Sequence, residues 1–252
     1  MNELLENTIF LIAAAATSGY LFGSISNARI MHWFKTGSFQ VKPINEPIPG
    51  TDLYFASDSV SATVTNINLG TRFGILTSLL DAAKVALPTL IFKLLIPEAP
   101  YFLITAACGI AGHVYPLYHR FRGGRGESPI IGAMLVINWF GIIITNLAGM
   151  VLGYLTGSIL VMRYGWYVLS IFWYWIYFCD IWYVGFMVTA NILFWTAMSK
   201  DLAKFAALKK EEDLAVAEET VSEFLLMGKS PGRFLDKYGL PASVKKAFRK
   251  EK

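Results

Sequence analysis

Long apolar runs, separated by short polar breaks, make up most of this chain. A bilayer-spanning helix needs about 20 mostly apolar residues, and the chain offers about seven such segments. In order they are residues 8–25, 73–96, 101–118, 130–146, 149–162, 164–179 and 181–197. The pattern predicts an all-α, polytopic membrane protein with about seven transmembrane helices. Only Asn146 and Gly149 separate the fourth segment from the fifth.

Composition supports a membrane protein and excludes several other classes. Of 252 residues, 55% are hydrophobic and 16% are charged, whereas a soluble domain usually carries about 25% charged residues. The net charge of +4 is too small to indicate nucleic acid binding. Cys108 and Cys179 lie in separate apolar runs, so neither a disulfide framework nor a zinc site is indicated. Residues 1–7 lack the basic region and cleavage site of a signal peptide, so the first apolar run is expected to remain as a span.

Basic residues are concentrated in alternate connections between these segments. Residues 29–72, 119–128, Arg163 and the chain from residue 200 onward hold nearly all of them. The remaining connections carry Glu98 and Asp180 but no Lys or Arg. By the positive-inside bias, the basic side is cytoplasmic. We therefore expect a multi-pass protein of the cell inner (plasma) membrane, with its N-terminus outside and its C-terminus in the cytoplasm.

The polar C-terminal part differs from the rest of the chain. Residues 201–228 have the pattern of an amphipathic helix, and Ser230-Pro231 is typical of the start of another. The chain is therefore divided into a transmembrane domain, residues 1–200, and an amphipathic helical cytoplasmic tail, residues 201–252. The basic end of the tail suits either an anionic lipid surface or solvent.

The strongest candidate for chemistry is the stretch GIAGHVYPLYHRFRGGRG, residues 109–126. Its second half contains three arginines set among three glycines: Arg120, Arg122, Arg125, Gly123, Gly124 and Gly126. Glycine exposes backbone N–H groups to an anion, and arginine supplies a planar fork of donors for phosphate or carboxylate. The stretch is either a phosphate cradle or a positively charged turn that fixes membrane orientation. His113, where the apolar run ends, is either structural or a proton acceptor.

Two further polar features lie within or beside apolar segments. Asp81 and Lys84 are three residues apart in the second span and share a helix face, where they form either the wall of a polar site or a structural ion pair. The heptapeptide GYLFGSI (residues 19–25) has a near copy, GYLTGSI, at residues 153–159. Its small residues indicate close helix packing, with an active-site role as the alternative.

These motifs resemble those of the bacterial acyl-phosphate:glycerol-3-phosphate acyltransferases (PlsY type). The family's GSIP motif resembles residues 23–26, and its GHxxPxxxxFxGGKG motif resembles residues 112–126, with Arg125 in place of lysine. Between them, residues 69–88 resemble LGKKxGxxxxxLDxxKGxxP, including Asp81 and Lys84. The resemblance covers roughly residues 10–198.

The resemblance implies a membrane acyltransferase of phospholipid biosynthesis. It would transfer an acyl group from acyl phosphate to the 1-hydroxyl of glycerol 3-phosphate and make lysophosphatidate, without a metal or bound cofactor. Ser24 and His113 would be catalytic, and Asp81 and Lys84 would orient the site. The substrate-binding residues would be Ser57, Arg120, Arg122, Gly123, Gly124, Arg125 and Gly126.

The family's second motif, GSGNxGATN, is degenerate here. It aligns with ASDSVSATV, residues 56–64, where only Ser57, Ala62 and Thr63 agree. Asp58 replaces a glycine, and a carboxylate would repel a phosphate a few ångströms away by about 1–4 kcal/mol. The alternative is therefore a non-catalytic or re-purposed relative that binds a lipid or phosphorylated molecule. A small-solute transporter fits less well, because the polar motifs lie at one face rather than at the midplane.

Overall fold

The computed structural model describes residues 2–47, 54–211 and 237–240. Its helices are α1 (Asn2–Gly23), α2 (Asn27–Thr36), α3 (Ala62–Leu69), α4 (Thr71–Leu95), α5 (Tyr101–Val114), α6 (Glu127–Thr156), α7 (Ile159–Phe178) and α8 (Ile181–Glu211), with a short 3₁₀ helix at Leu117–His119. Two short strands, β1 (Ile44–Pro47) and β2 (Tyr54–Ser57), pair in the proline-rich stretch, where the sequence pattern indicated none. The predicted all-α membrane fold is confirmed.

Five helical stretches of the described chain are long and apolar enough to cross a membrane. They are Glu6–Thr36, Thr71–Leu95, Glu127–Thr156, Ile159–Phe178 and Ile181–Ala206. At 14 residues, α5 is shorter than a full span. The chain is not divided near residues 146–149, where the sequence pattern predicted a break, because α6 is helical through them to Thr156 and α7 begins at Ile159. A kink in α6 lies earlier, inside the predicted fourth segment. Asn138 has non-helical angles (φ −157°, ψ 83°) and divides α6 into two helical stretches.

Lys93 stabilises the part of α6 that precedes this kink. Its Nζ donates a hydrogen bond of 2.6 Å to the carbonyl oxygen of Val136, and it lies 5.9 Å from the centre of the Phe102 ring. This carbonyl, two residues before the kink, thus has a charged donor from α4.

The chain forms two compact units. The first comprises Met1–Ile44, Ala56–Phe140 and Tyr174–Met198. The second contains the described residues of 45–55, 141–173 and 199–252. All candidate site residues named above belong to the first unit. The large aromatic side chains Trp166 and Tyr167, which are fully buried and stacked with ring centres 3.9 Å apart, belong to the second unit.

Glycines bring α1 and α5 into backbone contact in the first unit. A Cβ added at Gly19 would lie 2.2 Å from the carbonyl oxygen of Thr105, and one at Gly23 would lie 2.0 Å from that of Gly109. Because the two residues are four apart, they form a small-residue face along α1. In the second unit, Gly153 approaches Met162 in the same way. The packing interpretation of the repeated heptapeptide therefore agrees with the structure.

Helix α8 continues without interruption past residue 200 to Glu211. The predicted amphipathic tail beyond it, residues 212–236 and 241–252, lies outside the described residues. The division into a transmembrane domain and a tail thus stays a prediction.

Candidate functional site

A small polar pocket forms where α1 ends, α2 begins and the chain turns after α5. Its walls come from the end of α1 and the start of α2, from α4 and α5, and from the glycine-rich turn. The lining residues are Gly23, Ser24, Ile25, Ser26, Asn27, Ala28, Val60, Asp81, Lys84, His113, Pro116, Gly123 and Gly124. Its volume of about 10 Å³ is close to the room that one water molecule needs. The pocket therefore unites six residues that the sequence singled out: Ser24, Asp81, Lys84, His113, Gly123 and Gly124.

Lys84 is the centre of a buried hydrogen-bond network in this pocket. Its Nζ lies 2.9 Å from Oδ1 of Asp81 and 2.9 Å from Nδ1 of His113, and it also donates to the carbonyl oxygen of Ile25. Asn27 on α2 donates from Nδ2 to the same carboxylate oxygen at 2.9 Å. Lys84 and Asp81 are 8% and 2% exposed. An ammonium group has three donors and no acceptor, and all three are used here.

The network decides which nitrogen of His113 carries the proton. Because Lys84 is an obligate donor, Nδ1 of His113 must accept, and the hydrogen of the neutral ring is assigned to Nε2. Nε2 is thus a hydrogen-bond donor and not a free base. The nearby ammonium group also opposes protonation of the ring. The arrangement can hold a substrate oxygen or phosphate by donation, and the proton of an attacking hydroxyl needs another acceptor.

The glycine-rich turn packs directly on this histidine. A Cβ at Gly124 would lie 2.3 Å from Nε2 of His113, and one at Gly123 would lie 2.0 Å from its carbonyl oxygen. The N–H of Gly124 donates to that same carbonyl at 3.2 Å. Only residues without a side chain allow this approach. The Gly124 amide, which the sequence assigned to phosphate binding, is therefore engaged by His113.

The turn begins at Pro116, which disfavours helical backbone at Tyr115 and so ends α5. Ser24 anchors the chain there. Its Oγ donates to the carbonyl oxygen of Tyr20 at 2.8 Å and accepts from the N–H of Leu117 at 3.2 Å. Ser24 is fully buried. Since its hydrogen already has an acceptor, a bond from Ser24 to a substrate requires the hydroxyl to rotate. The catalytic role of Ser24 stays a prediction.

The degenerate second motif reaches the pocket through Val60, whose N–H donates to the carbonyl oxygen of Gly123 at 3.1 Å. Ser57 is buried, and its Oγ contacts Oγ of Ser59 at 3.3 Å instead of lining the pocket. Asp58 is exposed. Water therefore screens the repulsion that this carboxylate was expected to exert on a phosphate.

The three arginines of the turn differ in their surroundings. Arg125 is 6% exposed, whereas Arg120 and Arg122 are exposed and do not line the pocket. Arg120 adopts left-handed backbone angles (φ 52°), as does Gly126 (φ 91°). Arg125 is therefore the buried cation of the turn, but it does not line the pocket either, so the phosphate-binding role of all three arginines stays a prediction.

Sequence reasoning missed two residues of α2. Asn27 holds the Asp81 carboxylate from the opposite helix. Arg29 reaches the turn, where its Nη2 donates to the carbonyl oxygen of Arg122 at 3.3 Å. Asn27 directly follows the GSIS motif, and a polar side chain there was the available signal. Apart from its charge, nothing in the sequence indicated a role for Arg29, because the residue that it contacts lies 93 positions later.

Comparison with known proteins decides the family. A profile described as glycerol-3-phosphate acyltransferase matches residues 48–207, more than half of the chain. The chain belongs to the glycerol-3-phosphate acyltransferase family. The family resemblance read from the motifs is thereby confirmed.

A glycerol-3-phosphate acyltransferase of Legionella pneumophila (strain Corby) is 34% identical over 131 residues, which cover 52% of this chain and 42% of the relative. One of Mycoplasma mycoides is 32% identical over 140 residues, covering 53% and 49%. The chain thus spans about half the length of the curated relatives it matches.

Solved structures of the family share the fold. The chain is similar to the lysophosphatidic acid form of PlsY (YgiH), an integral membrane glycerol 3-phosphate acyltransferase, with a TM-score of 0.63 and 16% identity. The aligned region covers 78% of this chain and 92% of that one. The glycerol 3-phosphate form gives a TM-score of 0.62 at 17% identity, covering 80% and 92%. At this level of identity the likeness concerns the membrane fold.

Proposed function

We propose that this chain is an acyltransferase that moves an acyl group from acyl phosphate to glycerol 3-phosphate and makes lysophosphatidate. The observation that carries the proposal is the single pocket in which Ser24, the Lys84–Asp81–His113 network and the Gly123-Gly124 turn meet. These are the residues of the family's first and third motifs and of its intervening aspartate and lysine. Family membership supports the same assignment.

In the proposed reaction, the 1-hydroxyl oxygen of glycerol 3-phosphate attacks the acyl carbonyl carbon. A carbon–oxygen ester bond forms, the bond between the acyl carbon and the phosphate oxygen breaks, and inorganic phosphate leaves with that electron pair. Because Nε2 of His113 is a donor, we assign the hydroxyl proton to the departing phosphate. His113 then positions a substrate oxygen, and Lys84 and Asp81 fix its ring. Gly126 and the arginines Arg120, Arg122 and Arg125 hold phosphate. Ser24 donates to substrate once its hydroxyl has rotated away from the carbonyl of Tyr20, and a bond from Ser57 is made outside the pocket, once its hydroxyl has turned away from Ser59.

Both substrates are larger than the pocket of about 10 Å³. The pocket therefore takes one small group of a substrate, and the rest of the molecule lies outside it. The acyl chain stays among the apolar helices while the phosphate meets the basic turn. We also propose that this turn faces the cytoplasm of a cell with an inner membrane, since the basic connections lie on one side. Neither a metal nor a bound cofactor takes part in the proposed step.

The test is to purify the chain and supply acyl phosphate with glycerol 3-phosphate. We expect phosphate release that depends on both substrates and is lost in Arg125→Ala. The control is Lys42→Ala, an exposed basic residue away from the turn. Tight binding of lipid or phosphorylated compounds without turnover would instead support the re-purposed relative, which the loss of the second motif favours. The proposed orientation in the membrane can be tested with an introduced cysteine and reagents that reach it from one side of the membrane only.

A further inference from the structure

Arg29 lies on the first turn of α2, beside the basic turn that follows α5. Its side chain is half-buried, and its Nη2 donates to the carbonyl oxygen of Arg122 at 3.3 Å. Its Nε is buried and has no hydrogen-bond partner among the described residues. Buried polar atoms are normally paired. The Nε of Arg29 can therefore donate a hydrogen bond to a further acceptor.

No carboxylate of the described residues lies within ion-pair distance of Arg29. The groups around it are themselves basic. Burial lowers the pKa of His119, and the positive charges of Arg29 and Lys84 lower it further, which shows that Arg29 shares this space with other cations. Lys84 is paired with Asp81, whereas the half-buried guanidinium of Arg29 has no carboxylate partner among the described residues. An anionic ligand can therefore pair with Arg29.

We propose that Arg29 is a further substrate-binding residue, whose guanidinium holds a phosphate group together with the arginines of the turn. The proposal rests on the proposed function, in which both substrates carry a phosphate. A guanidinium group suits this ligand because it donates two parallel hydrogen bonds to phosphate oxygens. In this chain, whose second motif is degenerate, α2 then supplies a cation to the phosphate site.

The first experiment separates binding from chemistry. Arg29→Gln keeps a polar side chain of moderate length without the charge, and Arg29→Lys keeps the charge without the fork. Loss of a charge-assisted hydrogen bond is expected to raise KM at least about tenfold for one substrate, while kcat changes less than about twofold. Arg29→Lys should restore part of this loss. Lys35→Gln, on the exposed side of the same helix, is the matched control and should leave both parameters unchanged.

The two substrates form separate arms of that experiment. A raised KM for glycerol 3-phosphate alone assigns the acceptor phosphate to Arg29, and a raised KM for acyl phosphate alone assigns the donor phosphate. An unchanged KM for both overturns the proposal. A fall in kcat and thermal stability with constant KM also overturns it, because that result indicates a role confined to the contact with Arg122.

A binding measurement keeps the test independent of turnover. Titration of the detergent-solubilised full chain with inorganic phosphate and with glycerol 3-phosphate should show at least about tenfold weaker affinity in Arg29→Gln than in the unmodified chain. If the unmodified chain binds these anions but transfers no acyl group, the acyltransferase proposal fails while Arg29 is still tested. Equal affinity in both proteins, or no binding by either, overturns the role of Arg29.

Discussion

Replacing Lys84 by methionine tests the buried network on which the site depends. Methionine has nearly the same length and fits the apolar stem of lysine, so the change removes the charge and three hydrogen bonds but little volume. The Asp81 carboxylate, 2% exposed, then retains only the bond from Asn27. Breaking a buried ion pair by removing one partner costs about 3–5 kcal/mol. We expect a loss of that size in the free energy of unfolding.

The double variant Asp81→Asn, Lys84→Met shows whether the charge is the cause. A neutral amide at residue 81 can still accept the bond from Asn27, and no isolated charge remains. The double variant should therefore be more stable than Lys84→Met alone, with a coupling of about 1–3 kcal/mol. Both proteins should lose acyl transfer, because Nδ1 of His113 no longer has the donor that fixes its ring.

Intrinsic tryptophan fluorescence during unfolding in mixed detergent micelles measures these differences, since the chain has seven tryptophans. Lys42→Met is the control, because this lysine is exposed. Strictly additive losses for Asp81→Asn and Lys84→Met would refute the ion-pair account. So would full activity in Lys84→Met, because the assigned His113 tautomer would then be irrelevant to turnover.

Three further expectations concern other contacts. Gly124→Ala places a Cβ 2.3 Å from Nε2 of His113 and should lower kcat about 100-fold, since a shift of about 1 Å can cost that much. Lys93→Met removes the charged donor to Val136 and should destabilise the protein by about 1–3 kcal/mol in micelle unfolding. The lowered pKa of His119 means that the folded state binds this proton less readily, so stability falls as pH drops below about 6.5. His119→Gln should reduce that fall in thermal melts.

Each expectation has its own control or contrary outcome. Gly185→Ala adds the same methyl group where no atom lies within 4 Å, and it should be nearly neutral for activity. A Gly124→Ala enzyme as active as Gly185→Ala would show that the turn does not press on the histidine. If Lys93→Met melts like the unmodified chain, the kink does not depend on its ammonium group. An identical pH profile with and without His119 would place the acid sensitivity elsewhere.

The apolar runs located the helices because the hydrocarbon thickness sets the length of a span. They also predicted a division near residues 146–149, where α6 is helical. Asn146 and Gly149 were the visible breaks, but the non-helical backbone lies at Asn138. The Lys93 hydrogen bond beside this kink joins residues 43 positions apart, so local composition did not reveal it.

The candidate site shows the same contrast. Ser24, Asp81, Lys84, His113 and the glycines were recognisable because each motif has a fixed local spacing. Their roles were open from the sequence, where Asp81 and Lys84 could have been a wall of the site or a structural pair. The structure gives Lys84 both functions at once, as the partner of Asp81 and the donor to His113. The hydrogen bond from Lys84 to His113 decided this. It can be recognised only when the distance between α4 and α5 is known.

By itself, the amino-acid order determined that the chain consists mostly of apolar helices, where α5 must stop before Pro116, and which stretch carries the arginines and glycines. Helix propensity, proline geometry and the length of an apolar run depend on residues that are neighbours in the sequence, so they can be predicted from it. Only the tertiary structure decided that Arg29 meets the turn at Arg122 and that His113 is a donor at Nε2. Such contacts join residues that are 93 and 29 positions apart, and they exist only once glycine-mediated packing has brought the helices together.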